Sequence, residues 1–208
     1  SEVMIFNPAH PLFEELFSQI DRLQAEKEAE KARQAVHAAE IAKLKAVYGQ
    51  AKRLDNSGKP LSAIKAYERV IASALPDPSG LKGASRNRIS EIRSQINSRT
   101  ASMQKQAAKF ESGGQLKEAI YALRKAKQVD PQNDMLDDKI SSMVLRLQEE
   151  MMRLYQEGIL EESFGNVEGD DTRQGAKQKW REIMKRDIQD GVYYKKAFIK
   201  MKKYGAPQ

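Results

Sequence analysis

The chain has 208 residues, with 36 Lys and Arg against 29 Asp and Glu, two His and no Cys. Without cysteine, disulfides, thiolate metal sites and cysteine nucleophiles are excluded, and no apolar run approaches the ~18 residues of a membrane span. A charged fraction of 31% with only 7% aromatics is the profile of a solvated all-helical protein with a sizeable core, not of a sandwich or barrel.

The positive charge is unevenly placed. Residues 1–172 carry 25 basic side chains against 26 acidic ones, and residues 173–208 carry 11 against 3. The excess therefore lies at the C-terminal end. The chain opens at Ser1 without a methionine, so it reads as a processed or shortened piece. Residues 1–10, SEVMIFNPAH, suit either a tail or the end of a preceding small β-domain.

From Pro11 to about Ser57 the pattern predicts one long helix with a candidate break. Leu12, Phe13, Leu16, Phe17, Ile20 and Leu23 form an apolar stripe at helical spacing. Gln24–Glu40 is an Ala/Glu/Lys/Gln run with Val36 as its only large apolar residue, so it is expected to be helical and solvated. The stripe resumes at Ile41, Leu44, Val47, Tyr48, Ala51 and Leu54. Asn56–Pro60 reads as a turn, with glycine after one helix and proline opening the next, which runs to about Leu75.

The cycle repeats: a long helix over 81–112, a Gly113–Gly114 turn, a short helix over 115–129, and a third long helix over 134–164. A Gly- and Asp-rich loop, a short helix over 173–188 and a basic helix over 193–204 follow. We divide the chain into the tail 1–10, a long helix 11–43, and a repeat domain 44–208. The repeat domain has units at about 44–80, 81–133 and 134–190, with the basic helix at 191–204. The expected class is all-α: stacked helical hairpins, as a solenoid or an elongated bundle, closed by a C-terminal capping helix.

Two stretches superimpose 56 residues apart: Ala51, Gly58, Ala63, Ile64 and Tyr67 on Ala107, Gly114, Ala119, Ile120 and Leu123. A small residue admits a close helix–helix approach, glycine ends the first helix, and the Ala-Ile pair packs the second against it. In a looser third copy Ala176 follows Ala119 by 57 residues, Trp180 stands where Tyr67 and Leu123 stand, and Gly158 is a candidate for the upstream small residue. Stacked units of this kind bury a core that one hairpin cannot bury alone.

Together with Phe110, Ala126 and Pro131, these residues make the chain resemble the tetratricopeptide-repeat family over residues 44–204, best in the second unit. The 56–57-residue period departs from the family's 34, the surplus lying in the first helix of each pair. The resemblance implies a scaffold that holds a partner helix or peptide, with Tyr48, Lys52, Gln104, Lys105 and Ala108 as contact residues on the inner helices. The asparagine of the family's carboxylate-gripping members is missing, which disfavours acidic chaperone C-termini as ligands.

Nothing points to catalysis. His10 and His37 are isolated, and no P-loop, dinucleotide glycine pattern or HExxH occurs. Gly169–Thr172 lacks the alternating carboxylates of a calcium loop and is expected to cap the next helix. Glu149–Glu150 and Asp137–Asp138 are adjacent acids on a helix, pointing about 100° apart. We expect no enzyme activity, no metal and no cofactor.

Two basic features remain. Lys195, Lys196, Lys200, Lys202 and Lys203 alternate with Tyr193, Tyr194, Phe198, Met201 and Tyr204. The first expectation is a cap burying Tyr194, Phe198 and Met201 near Trp180, with lysines in water. Binding to an acidic partner or an anionic membrane surface is the alternative, and nucleic acid is disfavoured for want of a motif. The second long helix carries Lys82, Arg86, Arg88, Arg93, Arg99, Lys105 and Lys109, neutralised by the Asp134–Asp138 end of the third helix or serving an acidic peptide. The functional expectation is a cytoplasmic, non-enzymatic protein–protein adaptor, in style a module of a larger bacterial regulatory, motility or secretion protein. Self-association through the N-terminal helix is a further expectation. The runner-up is a membrane-surface or nucleic-acid adaptor acting through the basic C-terminal helix.

Overall fold

A computed structural model describes residues 11–205, with side chains from Glu14 onward; the tail 1–10, His10 and the side chains of Leu12 and Phe13 lie outside the described part. Within it the chain is all-α. Its helices are α1 (Pro11–Asn56), α2 (Pro60–Ala72), α3 (Leu81–Ser112), α4 (Leu116–Val129), α5 (Asp134–Ser163), α6 (Ala176–Arg186) and α7 (Val192–Lys203). The chain divides into two compact units, Ser1–Arg93 and Ser94–Gln208, and α3 contributes to both.

In the first unit α1 packs on α2. Leu44 and Ala51 of α1 and Ala63, Tyr67 and Val70 of α2 are all buried. Tyr48 lies one turn before Ala51 and meets Tyr67 with ring centroids 5.7 Å apart. Pro60 opens α2 at its first turn, where its missing N–H costs nothing. Asp77 opens α3, accepting from the Leu81 and Lys82 N–H groups at 2.7 and 2.8 Å, which satisfies two orphan donors of that helix.

α1 is continuous, with no break. From Glu14 to Ala39 every residue is exposed. That includes Leu16, Phe17, Ile20 and Leu23 at 45–65% exposure, so the N-terminal stripe faces solvent like the polar run after it.

The first two hairpin turns repeat at the level of single hydrogen bonds. Gly58 donates to Asp55 O and Lys59 to Leu54 O, at 3.0 and 3.1 Å; Gly114 donates to Glu111 O and Gln115 to Phe110 O, at 3.0 and 2.8 Å. Both glycines have positive φ, 70° and 72°, as a Schellman cap requires. The end of α5 is built the same way, with Gly165 donating to Glu162 O and Asn166 to Glu161 O. Gly158 stands seven residues before Gly165, as Ala51 and Ala107 stand before Gly58 and Gly114. The third copy therefore keeps the pattern, and its irregularity is a longer turn.

That turn, 166–175, is tied to the end of α5 and closed by its own Asp170. The buried Glu161 carboxylate accepts from Asn166 Nδ2 at 2.8 Å and Arg173 Nε at 3.0 Å. Asp170 accepts from the backbone N–H groups of Thr172 and Arg173, both at 2.8 Å. This corrects the expectation that Gly169–Thr172 caps the next helix: Asp170 closes its own turn. The cap of α6 is Gly175, whose N–H donates to the Gln178 side chain at 3.1 Å.

In the second unit α4 packs on α5, α5 on α6, and α7 on both α5 and α6. Its core joins Ala107, Ala119, Leu123, Leu136, Met151, Trp180 and Ile183, with Ala197 and Met201 from α7. α5 and α6 approach closely at Gly158: a Cβ there would lie 2.7 Å from Trp180 Nε1. A glycine faces the largest side chain of the three hairpins, and the sum of volumes decides the pair.

Candidate protein-binding groove

Between α3 and α5 in the second unit runs an open groove of about 340 Å³. Gln104, Ala107, Ala108 and Glu111 line it from α3, and Asp138, Lys139, Ser142 and Met143 from α5, with Leu123 of α4 beneath. Ala107, Leu123 and Met143 are buried and give an apolar floor. The walls are polar: the Gln104 amide both donates and accepts, and Lys139 and Asp138 make no ion pair among the described residues. At one end Arg146 pairs with Glu111 and links the two helices. Small residues at 107 and 108 hold the groove open, as alanine gives its neighbour nothing to fill it with.

The structure thus brings Gln104 and Ala108 together on one wall. Lys105 follows on the exposed side of α3 and does not line the groove. In the first unit Lys52 is exposed, and Tyr48 is half-buried against Tyr67, so its ring serves the hairpin before any ligand. The α5 wall was not read from the sequence. Its signal was there, because Lys139 and Ser142 flank Ile140 and Met143 of the Leu136–Ile140–Met143–Leu147 stripe by one position, and Asp138 lies two positions from it.

The basic face of α3 is resolved differently from expectation. Arg88 binds Asp55 bidentately at 2.6 and 3.1 Å and also meets Glu91 at 2.7 Å, and Arg93 pairs with Glu68 at 3.2 Å. The neutralising acids come from α1, α2 and α3 itself, not from the Asp134–Asp138 end of α5, where Asp134 and Asp137 pair with Lys127. The Arg88 hydrogen bonds hold the Asp55 carboxyl below its ordinary value. Arg86, Arg99, Lys105 and Lys109 are exposed and without an ion pair among the described residues.

α7 is docked. Ala197 and Met201 are buried, whereas Tyr194 and Phe198 are only half-buried, a correction to the expected anchors. Tyr204, beyond the helix end, stacks on Trp180 with centroids 5.7 Å apart. The lysines are not all in water. Lys200, Lys203 and Tyr204 converge on Glu162 at 2.5, 3.0 and 2.5 Å, and Lys196 lies 5.0 Å from the Tyr193 ring centre. Asp187, pushed up by burial, accepts from Tyr194 N–H at 2.8 Å and so satisfies the start of α7. Lys195, Lys196, Lys202 and Lys203 are exposed, and only Lys200 is half-buried.

Burial alone would raise the Glu162 carboxyl, but hydrogen bonds from Lys200, Tyr204 and Lys203 outweigh it and bring it from 4.5 to about 2. A carboxyl depressed on folding contributes stability above its unfolded value and loses it as pH falls towards its folded value. α7 is therefore expected to loosen between about pH 4.5 and 2, read as a change in Trp180 fluorescence as Tyr204 leaves. Glu162→Gln should flatten that transition; an unchanged acid transition in this variant would contradict the assignment.

Comparison of the chain with protein-family models, with curated proteins and with solved structures gave no match. No described helix is long and apolar enough to cross a membrane.

Proposed function

We propose that the chain is a non-enzymatic helical scaffold, tetratricopeptide-like in its hairpins, that holds a partner peptide or helix in the α3–α5 groove. The observation that carries this reading is the groove itself: an apolar floor between walls with unpaired polar groups. Partner side chains would be buried on Ala107, Leu123 and Met143. Gln104, Lys139 and Asp138 would orient the partner backbone, and Lys105 would favour acidic residues beside it. Cytoplasmic residence and membership of a larger bacterial assembly belong to the same proposal.

The rival is an anionic-surface adaptor using α7. Engagement of Lys200 and Lys203 with Glu162, and of Lys196 with the rings of Tyr155 and Tyr193, weighs against it, since side chains already paired add little to a surface contact. Salt separates the two, because charge-driven binding collapses at high ionic strength and apolar burial largely survives.

Ala108→Trp fills the groove from an exposed position, so it is expected to melt as wild type yet lose proteins captured by the wild-type chain in 0.5 M salt. Unchanged capture by this variant would remove the groove from the function.

A further inference from the structure

The exposed length of α1 is chemically polar along its axis. Residues 14–30 carry six acidic side chains against two basic ones, and residues 31–47 carry four basic against one acidic. Four large apolar side chains, Leu16, Phe17, Ile20 and Leu23, stand exposed on the acidic half. On the basic half, Gln34, Ala38 and Lys45 are exposed and Ile41 is half-buried.

We infer that α1 is an antiparallel dimerisation helix whose partner is a second copy of this chain. At 100° per residue, Leu16, Ile20, Leu23, Lys27, Gln34, Ala38, Ile41 and Lys45 share one face of the helix. That set maps onto itself when the helix is reversed about a point between Glu30 and Lys31. Ile20 of one copy then meets Ile41 of the other, Leu23 meets Ala38, and Lys27 meets Gln34. The acidic 14–30 segment of each copy lies along the basic 31–47 segment of its partner. A parallel pair would set acid beside acid and base beside base, and would leave the apolar stripes without the basic half. The contact is isologous, as a closed two-fold dimer requires, and runs about 45 Å, at 1.5 Å per residue over 30 residues. It uses none of the residues that line the α3–α5 groove, so either reading can fail alone.

The chain has no cysteine, which makes the test clean. Sedimentation equilibrium on the full chain at about 100 µM is expected to give a dimer, and Ile20→Glu, which strikes two symmetric layers, to weaken it at least about a hundredfold. Single-cysteine variants at exposed positions then report orientation with a short bismaleimide. Lys31→Cys, beside the two-fold, should cross-link to itself; Leu23→Cys should cross-link to Ala38→Cys in a mixture but not to itself. A monomer at that concentration, or Leu23→Cys linking to itself, overturns the proposal.

Discussion

Trp180→Ala is expected to cost about 3–5 kcal/mol, the range for removing a large aromatic from a packed core. Trp180 is fully buried, faces Gly158 of α5 and carries Tyr204 on its ring. Gly158→Ala attacks the same contact from the other side. Its Cβ would lie 2.7 Å from Trp180 Nε1, and a packed indole has little freedom to yield, so a loss of about 1–3 kcal/mol is expected. The pair should couple: with Trp180→Leu in place, Gly158→Ala should cost much less, because the smaller side chain leaves the space a Cβ needs. Denaturant unfolding of the four chains measures this, and strictly additive losses would contradict the proposed packing.

Ending the chain after Ile188 is expected to be nearly as damaging. It removes the buried Ala197 and Met201 and strips Tyr204 from Trp180. It also leaves Glu162 without the lysines that hold it. Met201 alone accounts for about 1.5–3 kcal/mol of apolar burial, and the face uncovered on α5 and α6 is continuous with the core. The truncated chain should melt earlier and bind a hydrophobic dye. A truncation that stays soluble and stable while losing affinity for anionic vesicles would instead promote α7 to a binding element.

The helices were legible because their period and punctuation agree. Glycines 58 and 114 and prolines 60 and 131 mark turns wherever the apolar spacing lapses, and α3 falls on the expected 81–112 range. The inner details were harder to read. The 166–175 loop hid the regularity of the third hairpin, since a longer turn shifts Ala176 against Gly158 without altering either end. The partners of the α3 arginines were misplaced because charge along a sequence does not show which helix lies alongside. Of the three expected anchors of α7, Met201 is buried, whereas Tyr194 and Phe198 are only half-buried and the small Ala197 makes the close approach instead. In the groove, Gln104 and Ala108 could be read from the repeat, while the α5 wall needed three dimensions.

The groove is the centre of this account, and amide hydrogen exchange of the chain with and without a captured partner tests it most directly. The account predicts new protection in α3 around Gln104–Glu111 and in α5 around Asp138–Met143, with α7 unchanged. Protection confined to α7 and its lysines, with the α3 and α5 walls exchanging as in the free chain, would contradict it.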